Sequence, residues 1–209
     1  MKISTAFSSL TLAVLALNSS AFAEKCNFSV DPGSVQVSWT AFKTMQKVAV
    51  NGAFPQVAVK GKLTHQNSMA HLLQQLTAQI EISGPSSIKT GNPGRDQTLF
   101  EHFFSHFKKT PTLKGQFLDV KGKETEGELM LKLSLNEKTK MVPMKYTRDE
   151  SGTFQATGSI DVLEFGLNDT FDDLHKTCEV LHKGPDGVSK TWPGVDLKIQ
   201  AKVERKCNS

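Results

Sequence analysis

The chain has 209 residues, a length typical of a single all-β domain that encloses a core or an apolar cavity. Its 25 basic and 21 acidic side chains give a formal charge of +4, spread along the sequence without a cluster of basic and aromatic residues. A nucleic-acid-binding surface needs such a cluster, so we expect no nucleic-acid partner. The three cysteines form no Cys-x-x-Cys motif, which argues against thioredoxin-type redox catalysis.

The N-terminal residues have the pattern of a secretory signal peptide. Lys2 supplies the positive charge, residues 10–17 the apolar run, and Ala21-Phe22-Ala23 a cleavage site with small residues. The apolar run is shorter than the roughly 20 residues needed to span a bilayer. We therefore predict a signal peptide over residues 1–23, a mature domain over residues 24–209, secretion and no membrane span.

Alternation of apolar and polar residues dominates the remaining sequence and predicts strands with one apolar face. In chain order the predicted strands cover residues 35–41, 48–54, 57–63, 78–82, 113–117, 129–135, 142–146, 154–162 and 195–203. Glycines inside several strands fit sharp bends or leave space for a ligand. Many short antiparallel strands with few helices between them indicate a β-sandwich or a β-barrel.

Three short helices are predicted between the strands, because apolar residues recur at helical spacing over residues 69–76, about 95–107 and 171–181. The second has an aromatic face that includes Leu99, Phe103 and Phe104. Gly91-Asn92-Pro93-Gly94 precedes it, and Pro93 stands where a helix can begin. The third leads into a Gly- and Pro-containing loop over residues 184–194.

Four motifs occur in a characteristic order: Val50-Asn-Gly-Ala-Phe54, then Ser87-Ile88-Lys89-Thr90 with Arg95-Asp96, then Phe103-Phe104, and then Ile160-Asp-Val-Leu-Glu-Phe-Gly166. Together, on a chain with a signal peptide, they resemble the YceI-like family of bacterial periplasmic polyisoprenoid-binding proteins. The resemblance implies an all-β fold, an antiparallel lipocalin-like β-barrel with short helices between strands. It also implies an apolar isoprenoid ligand, a polyprenyl lipid or a quinone, and no other cofactor.

Two departures from the family pattern leave the identity of the ligand open. Val162-Leu163 stand where the family usually has an arginine, and the segment over residues 169–194 is longer than the family pattern predicts and carries Cys178. The oligomeric state is also left open.

The candidate ligand-lining residues are the apolar residues on the inward faces of the strands and on the aromatic helix. Each could equally belong to an ordinary core, since apolar strand residues are mostly core. The candidates are Val37, Trp39, Val50, Phe54, Ile80, Ile82, Leu99, Phe103, Phe104, Phe117, Leu131, Leu133, Met144 and Phe154. Arg95 and Asp96 are headgroup candidates, although a structural role is the favoured alternative, because helix ends recruit charges.

Catalytic and metal sites have less support in the sequence. His102 and His106 have the i, i+4 spacing of a zinc site, but the intervening residues lack the glutamate of a metalloprotease motif. No Gly-x-Ser-x-Gly elbow is present. We therefore predict a binding or carrier protein, not an enzyme, with no metal. The alternatives are an enzyme or metal-dependent protein acting on a small amphipathic molecule at the barrel mouth, and a signalling module with a filled barrel.

Closure of an antiparallel barrel brings the first strand beside the last. Cys26 precedes the first predicted strand and Cys207 follows the last, so the two cysteines would lie at the same end. We predict a Cys26–Cys207 disulfide in an oxidising compartment, with Cys178 as a small buried hydrophobe. The competing pairing joins Cys178 to Cys207.

Overall fold

The structure is a computed structural model that describes residues 25–208, so the predicted signal peptide lies outside the described residues. Nine strands form one antiparallel sheet: β1 Lys25–Lys43, β2 Val48–Phe54, β3 Ala58–Lys60, β4 Thr77–Glu81, β5 Thr112–Gly122, β6 Glu126–Leu135, β7 Lys138–Arg148, β8 Thr153–Asp161 and β9 Thr191–Asn208. Their order is β2-β1-β9-β8-β7-β6-β5-β4-β3, curled into a half-barrel. The predicted all-β, lipocalin-like fold is confirmed.

The open edge of the half-barrel is bridged by backbone hydrogen bonds between the start of β1 and the chain that follows β3. The Val30 N–H donates to the Leu63 carbonyl at 2.9 Å, and Phe28 and Gln66 exchange bonds of 2.7 and 3.1 Å. The prediction of a third strand over residues 57–63 is wrong beyond Lys60, because Gly61 turns the chain with a φ of +130°. The bridging segment nevertheless closes the barrel.

The first strand is much longer than predicted, since it begins at Lys25 instead of near residue 35. Asp31-Pro32-Gly33 looks like a strand boundary in the sequence, but the structure accommodates it as an irregularity in the pairing of β1 with β9 between Asp31 and Gln36. Bulges of this kind bend a strand without ending it. β1 therefore runs the full height of the barrel.

Cys26 lies directly opposite Cys207 in the β1–β9 register, and the two form a disulfide. The predicted pairing is confirmed, and the competing Cys178–Cys207 pairing is wrong. Cys178 is a buried free thiol. The bridge fastens the first strand to the last at the end of the barrel opposite the β1–β2 turn.

Three α-helices are present, α1 Met69–Gln74, α2 Pro93–His102 and α3 Asn168–Thr177, and 3-10 turns cover Pro85–Ser87, Phe104–His106, Val162–Phe165 and Val180–His182. The Asn92 side chain caps α2 by accepting from the Arg95 N–H at 3.0 Å, and Pro93 occupies its first turn as expected. The predicted extent of this helix to residue 107 is wrong, because the backbone of Phe103 leaves the helical region. The third helix likewise ends at Thr177 and continues as a 3-10 turn.

Candidate functional site

An apolar cavity of about 120 Å³ lies at one end of the barrel, between the inner face of the sheet and helices α2 and α3; we call it the mouth cavity. Almost all of its wall is carbon. The lining residues are Trp39, Ala41, Phe54, Leu99, Phe103, Phe104, Leu113, Leu135, Ile160, Val162, Phe171, Leu174, Thr191, Trp192, Val195 and Leu197. Five of the predicted ligand residues therefore share this cavity: Trp39, Phe54, Leu99, Phe103 and Phe104.

Helix α2, the 3-10 turn Phe104–His106 and helix α3 cover this cavity, and together we call them the lid. The backbone leaves the helical conformation at Phe103, which lets the rings of the consecutive residues Phe103 and Phe104 both face the barrel. Phe104 packs edge-on against Phe54 of β2 at 6.2 Å between ring centroids, and against Phe103 at 5.1 Å. Phe107 lies 5.5 Å from Phe104. Aromatic contacts at these distances stabilise the lid against the sheet.

The two lid helices are joined by one carboxylate. His102 Nδ1 lies 2.9 Å from Asp173 Oδ2 on α3, and His106 Nε2 lies 3.8 Å from the same oxygen. The Thr177 hydroxyl is also 3.2 Å from His102 Nδ1. The i, i+4 histidines thus converge on a carboxylate across the helix pair. Among the described residues, no group of three or more His, Cys, Asp or Glu side chains is arranged to hold a metal ion.

The two headgroup candidates do not line the mouth cavity. Asp96 Oδ1 accepts from the Thr90 backbone N–H at 2.9 Å and from the Thr90 hydroxyl, so this carboxylate ties the first turn of α2 to the preceding loop. Arg95 is half-buried on the same turn, and its backbone N–H is held by the Asn92 cap. Asp96 thus has the structural role that the sequence favoured.

Within the part of the chain that the structure describes, Trp39 is the one residue lining the mouth cavity that has a buried polar atom without a hydrogen-bond partner. Its indole Nε1 is buried and has no hydrogen-bond partner there. The ring lies flat against Gly52, its partner in the β1–β2 register, where a Cβ would come within 2.1 Å of Trp39 Cζ2. Gly52 therefore makes room for this indole in the wall of the barrel.

A second apolar cavity of about 60 Å³, the inner cavity, lies deeper in the barrel beside α1. Four more predicted ligand residues line it: Val37, Phe117, Leu131 and Phe154. The remaining five predicted residues line neither cavity. Ile80, Ile82, Leu133 and Met144 are buried in the core, and Val50 packs half-buried against it.

Sequence reasoning missed several mouth residues, chiefly Phe171 and Leu174 on α3 and Trp192 at the start of β9. The apolar spacing of the third helix predicted an apolar face that includes Phe171 and Leu174, but it did not indicate what that face covers. The Trp192 N–H is already used, since it donates to the Thr44 carbonyl at 2.8 Å. Trp192 thus contributes only its ring to the cavity.

A small polar cluster lies beside the mouth cavity, around the Thr191 hydroxyl. His175 Nδ1 and His182 Nδ1 lie 2.8 and 2.6 Å from this oxygen, and because the hydroxyl has a single hydrogen, at least one of the two rings must donate to it. Burial, reinforced by the charge of Lys43, lowers the pKa of His182 to about 4, which keeps the ring neutral at neutral pH. Burial also raises the pKa of the nearby Cys178 thiol, which disfavours the reactive thiolate form.

Residues 28–202 match the sequence profile of the YceI-like domain. The chain belongs to the YceI-like family. No curated protein matches this YceI-like chain at a significant level. No helix within residues 25–208 combines the length and apolar character needed to cross a bilayer.

Solved structures share the fold of this YceI-like protein. A polyisoprenoid-binding domain from Saccharophagus degradans, implicated in plant cell wall breakdown, is similar with a TM-score of 0.55 at 11% identity, over 87% of this chain and 98% of that one. A mutant YceI protein from Campylobacter jejuni is similar with a TM-score of 0.51 at 17% identity, over 80% of this chain and 90% of that one. At these identities the likeness concerns the fold.

Proposed function

We propose that this YceI-like protein is a non-enzymatic periplasmic carrier or sequestering protein for a long apolar isoprenoid, a polyprenyl lipid or a quinone. The mouth cavity carries the proposal, because its wall is apolar and the helical lid covers it. Burial of apolar ligand surface contributes about 25 cal/mol per Å², so a prenyl chain needs no charged partner. The similar domain from Saccharophagus degradans is described as polyisoprenoid-binding, which supports the ligand class.

The buried Trp39 N–H favours an isoprenoid with one hydrogen-bond acceptor near its head. A buried donor without a partner costs about 1–3 kcal/mol, and a ligand oxygen would remove that cost. A quinone carbonyl or a polyprenol hydroxyl supplies such an oxygen in an otherwise apolar cavity. A plain hydrocarbon does not.

Binding of a long chain requires the lid to move. Ligand pockets usually measure about 300–1,000 Å³. The mouth cavity of about 120 Å³ and the inner cavity of about 60 Å³ are both smaller. Outward movement of α2 and α3 enlarges the mouth without breaking the sheet, since the lid contacts the sheet through side chains, among them the Phe104–Phe54 ring contact and the His175–Thr191 hydrogen bond.

The periplasmic location rests on two observations. The Cys26–Cys207 disulfide fits an oxidising compartment, where such bonds persist. The N-terminal sequence has the pattern of a secretory signal, although it lies outside the described residues.

The proposal is tested by ligand extraction and by titration. Protein purified from its native compartment should release stoichiometric isoprenoid into organic solvent, as measured by mass spectrometry. Added quinone at ~100 times its dissociation constant should stabilise the emptied protein by about 2.7 kcal/mol in thermal unfolding. Absence of both signals would exclude a carrier role.

The Trp39→Phe variant tests the proposed acceptor. It keeps an aromatic ring in the wall and removes the N–H, so quinone affinity should fall about fivefold to tenfold, the value of one hydrogen bond. Affinity for squalene, which has no oxygen, should change much less. Trp192→Phe is the matched control, because its N–H is already bonded to the Thr44 carbonyl. An equal loss of quinone and squalene affinity in Trp39→Phe would reject the assigned role of the donor.

A further inference from the structure

Exposed apolar side chains are concentrated at the mouth end of the barrel. Among the described residues, six large hydrophobic side chains are exposed, and of these Met141 alone lies elsewhere, on β7. The other five, which we call the apical patch, are Met45, Val48, Val180, Leu181 and Val188. Val180 and Leu181 are 78% and 70% exposed, an unusual degree for two consecutive apolar residues of one 3-10 turn.

The apical patch is one surface although it comes from two distant parts of the chain. The Thr44 N–H donates to the Lys190 carbonyl at 2.8 Å, and Lys43 Nζ donates to the Leu181 carbonyl at 3.3 Å. These bonds fasten the β1–β2 turn to the segment over residues 180–190. Trp192, which lines the mouth cavity, bonds to the same turn. The patch therefore borders the opening through which a ligand would pass.

The charges around the patch are predominantly positive. Lys47 Nζ and Lys190 Nζ lie 4.6 and 5.1 Å from the centre of the Trp192 ring, and Lys43 lies on the adjoining strand. Within residues 25–208, no carboxylate lies within ion-pairing distance of these three lysines. Convergence of unpaired like charges is unfavourable in water and becomes favourable against an anionic surface.

Two acidic residues lie close to the patch in the sequence, and in the described part of the chain only one of them has a cationic partner. Glu179 pairs with Lys183 at 3.7 Å, and Asp186 accepts from the Val188 backbone N–H at 3.1 Å. The surface thus combines exposed aliphatic tips, an indole ring and three ammonium groups that have no carboxylate partner among the described residues. This is the combination that binds the interface of an anionic bilayer, where aliphatic side chains enter the acyl boundary and lysines meet lipid phosphates.

We propose that the apical patch docks the barrel mouth on an anionic phospholipid bilayer. The inference rests on the proposed carrier function, since docking there lets an apolar isoprenoid pass between the membrane and the mouth cavity without crossing water. Charge complementarity selects the bilayer over a protein partner or a second copy of the chain. The patch binds the membrane surface and does not span it.

Vesicle co-sedimentation tests the proposal with isoprenoid-free lipid, so that its result does not depend on ligand binding. The protein should bind vesicles of three parts phosphatidylethanolamine to one part phosphatidylglycerol. Binding to pure phosphatidylcholine vesicles should be at least tenfold weaker, because several lysines each contribute about fivefold near an anionic surface. Raised salt should weaken the binding further by screening these charges.

Two kinds of variant separate the apolar and the charged contributions. Val180→Ser with Leu181→Ser removes the most exposed apolar tips, and Lys47→Glu reverses one free charge; each should reduce vesicle binding at least fivefold. The controls are Met141→Ser, which replaces a 45% exposed apolar residue on β7, and Lys62→Glu, which reverses an exposed lysine near the opposite end. The controls should bind vesicles like the unmodified protein. If the double variant does not fold, Lys47→Glu still decides the test.

Three outcomes would overturn the proposal: no vesicle binding, equal binding to neutral and anionic vesicles, or equal losses in the variants and their controls. Concentration-dependent dimers that disappear in the double variant, seen by sedimentation velocity, would assign the patch to a second copy instead. Quinone binding in detergent is measured in parallel. Quinone binding without vesicle binding would reject membrane docking and leave the carrier function in place. Vesicle binding without quinone binding would reject the carrier function and leave membrane docking in place.

Discussion

Replacement of Gly52 by alanine should fill the mouth cavity from within. A Cβ at position 52 would lie 2.1 Å from Trp39 Cζ2 and 2.4 Å from Cε2, whereas carbon atoms pack at about 3.5–4.0 Å. The indole must therefore shift by at least about 1.5 Å. The paired backbones of β1 and β2 cannot separate easily, so the ring moves into the cavity. Overpacking of this kind costs about 1–3 kcal/mol of unfolding free energy.

Ligand affinity should fall together with stability in Gly52→Ala, because a bound isoprenoid would have to expel the displaced ring. A tenfold increase in the dissociation constant corresponds to a loss of about 1.4 kcal/mol of binding free energy, which lies within the range given for overpacking. Urea unfolding gives the stability change, and quinone titration by fluorescence gives the affinity. Gly194→Ala on β9 is the control, since a Cβ there meets no atom within 4 Å. If Gly52→Ala matches this control in both measurements, the placement of Trp39 over Gly52 is wrong.

Three further predictions concern the lid, the disulfide and the polar cluster. Asp173→Asn should speed ligand association, as measured by stopped-flow fluorescence. It should lower the unfolding free energy by under about 1 kcal/mol, because the contact of Asp173 with His102 is partly exposed. An unchanged association rate would show that this contact does not hold the lid closed. Cys26→Ser with Cys207→Ser should lower unfolding free energy by about 2–5 kcal/mol in denaturant, and a smaller loss would contradict a loop-closing role. His182 has a folded pKa lowered to about 4 from 6.5, so its contribution is complete above pH 6.5 and is lost as pH falls toward 4. His182→Gln should reduce the loss of unfolding free energy between pH 6.5 and pH 4 by about 1–2 kcal/mol, after discounting for partial exposure. An unchanged dependence of stability on pH would show that His182 is not the group responsible.

Local patterns in the sequence predicted most strands because one face of each strand is buried. β2 has the predicted bounds, and the alternation over residues 129–135 places four leucines in the core. The errors arose where tertiary contacts override a local signal. Pairing with β9 carries β1 through Asp31-Pro32-Gly33, and the packing of Phe104 on Phe54 accompanies an end to α2 earlier than its periodicity indicates.

The candidate site was harder to predict than the fold. Period-two alternation shows which residues face inward, but it does not show which inward positions border free space. Ile80 and Leu133 are as inward as Trp39, yet they are packed in the core. The His102–Asp173 contact joins residues 71 positions apart, and no local pattern brings them together. The apical patch likewise depends on two segments that meet only in the folded chain.

The pairing of the first strand with the last sets the order in which this protein can fold. β1 finds β9 only after the whole chain has emerged, because residues such as Cys26 and Cys207 are 181 positions apart. Such non-local pairing slows folding and leaves strand edges exposed in the meantime. A chain emerging N-terminus first therefore cannot complete its barrel before its last strand appears, so the edges of β1 and β8 that pair with β9 stay unpaired until synthesis is almost complete.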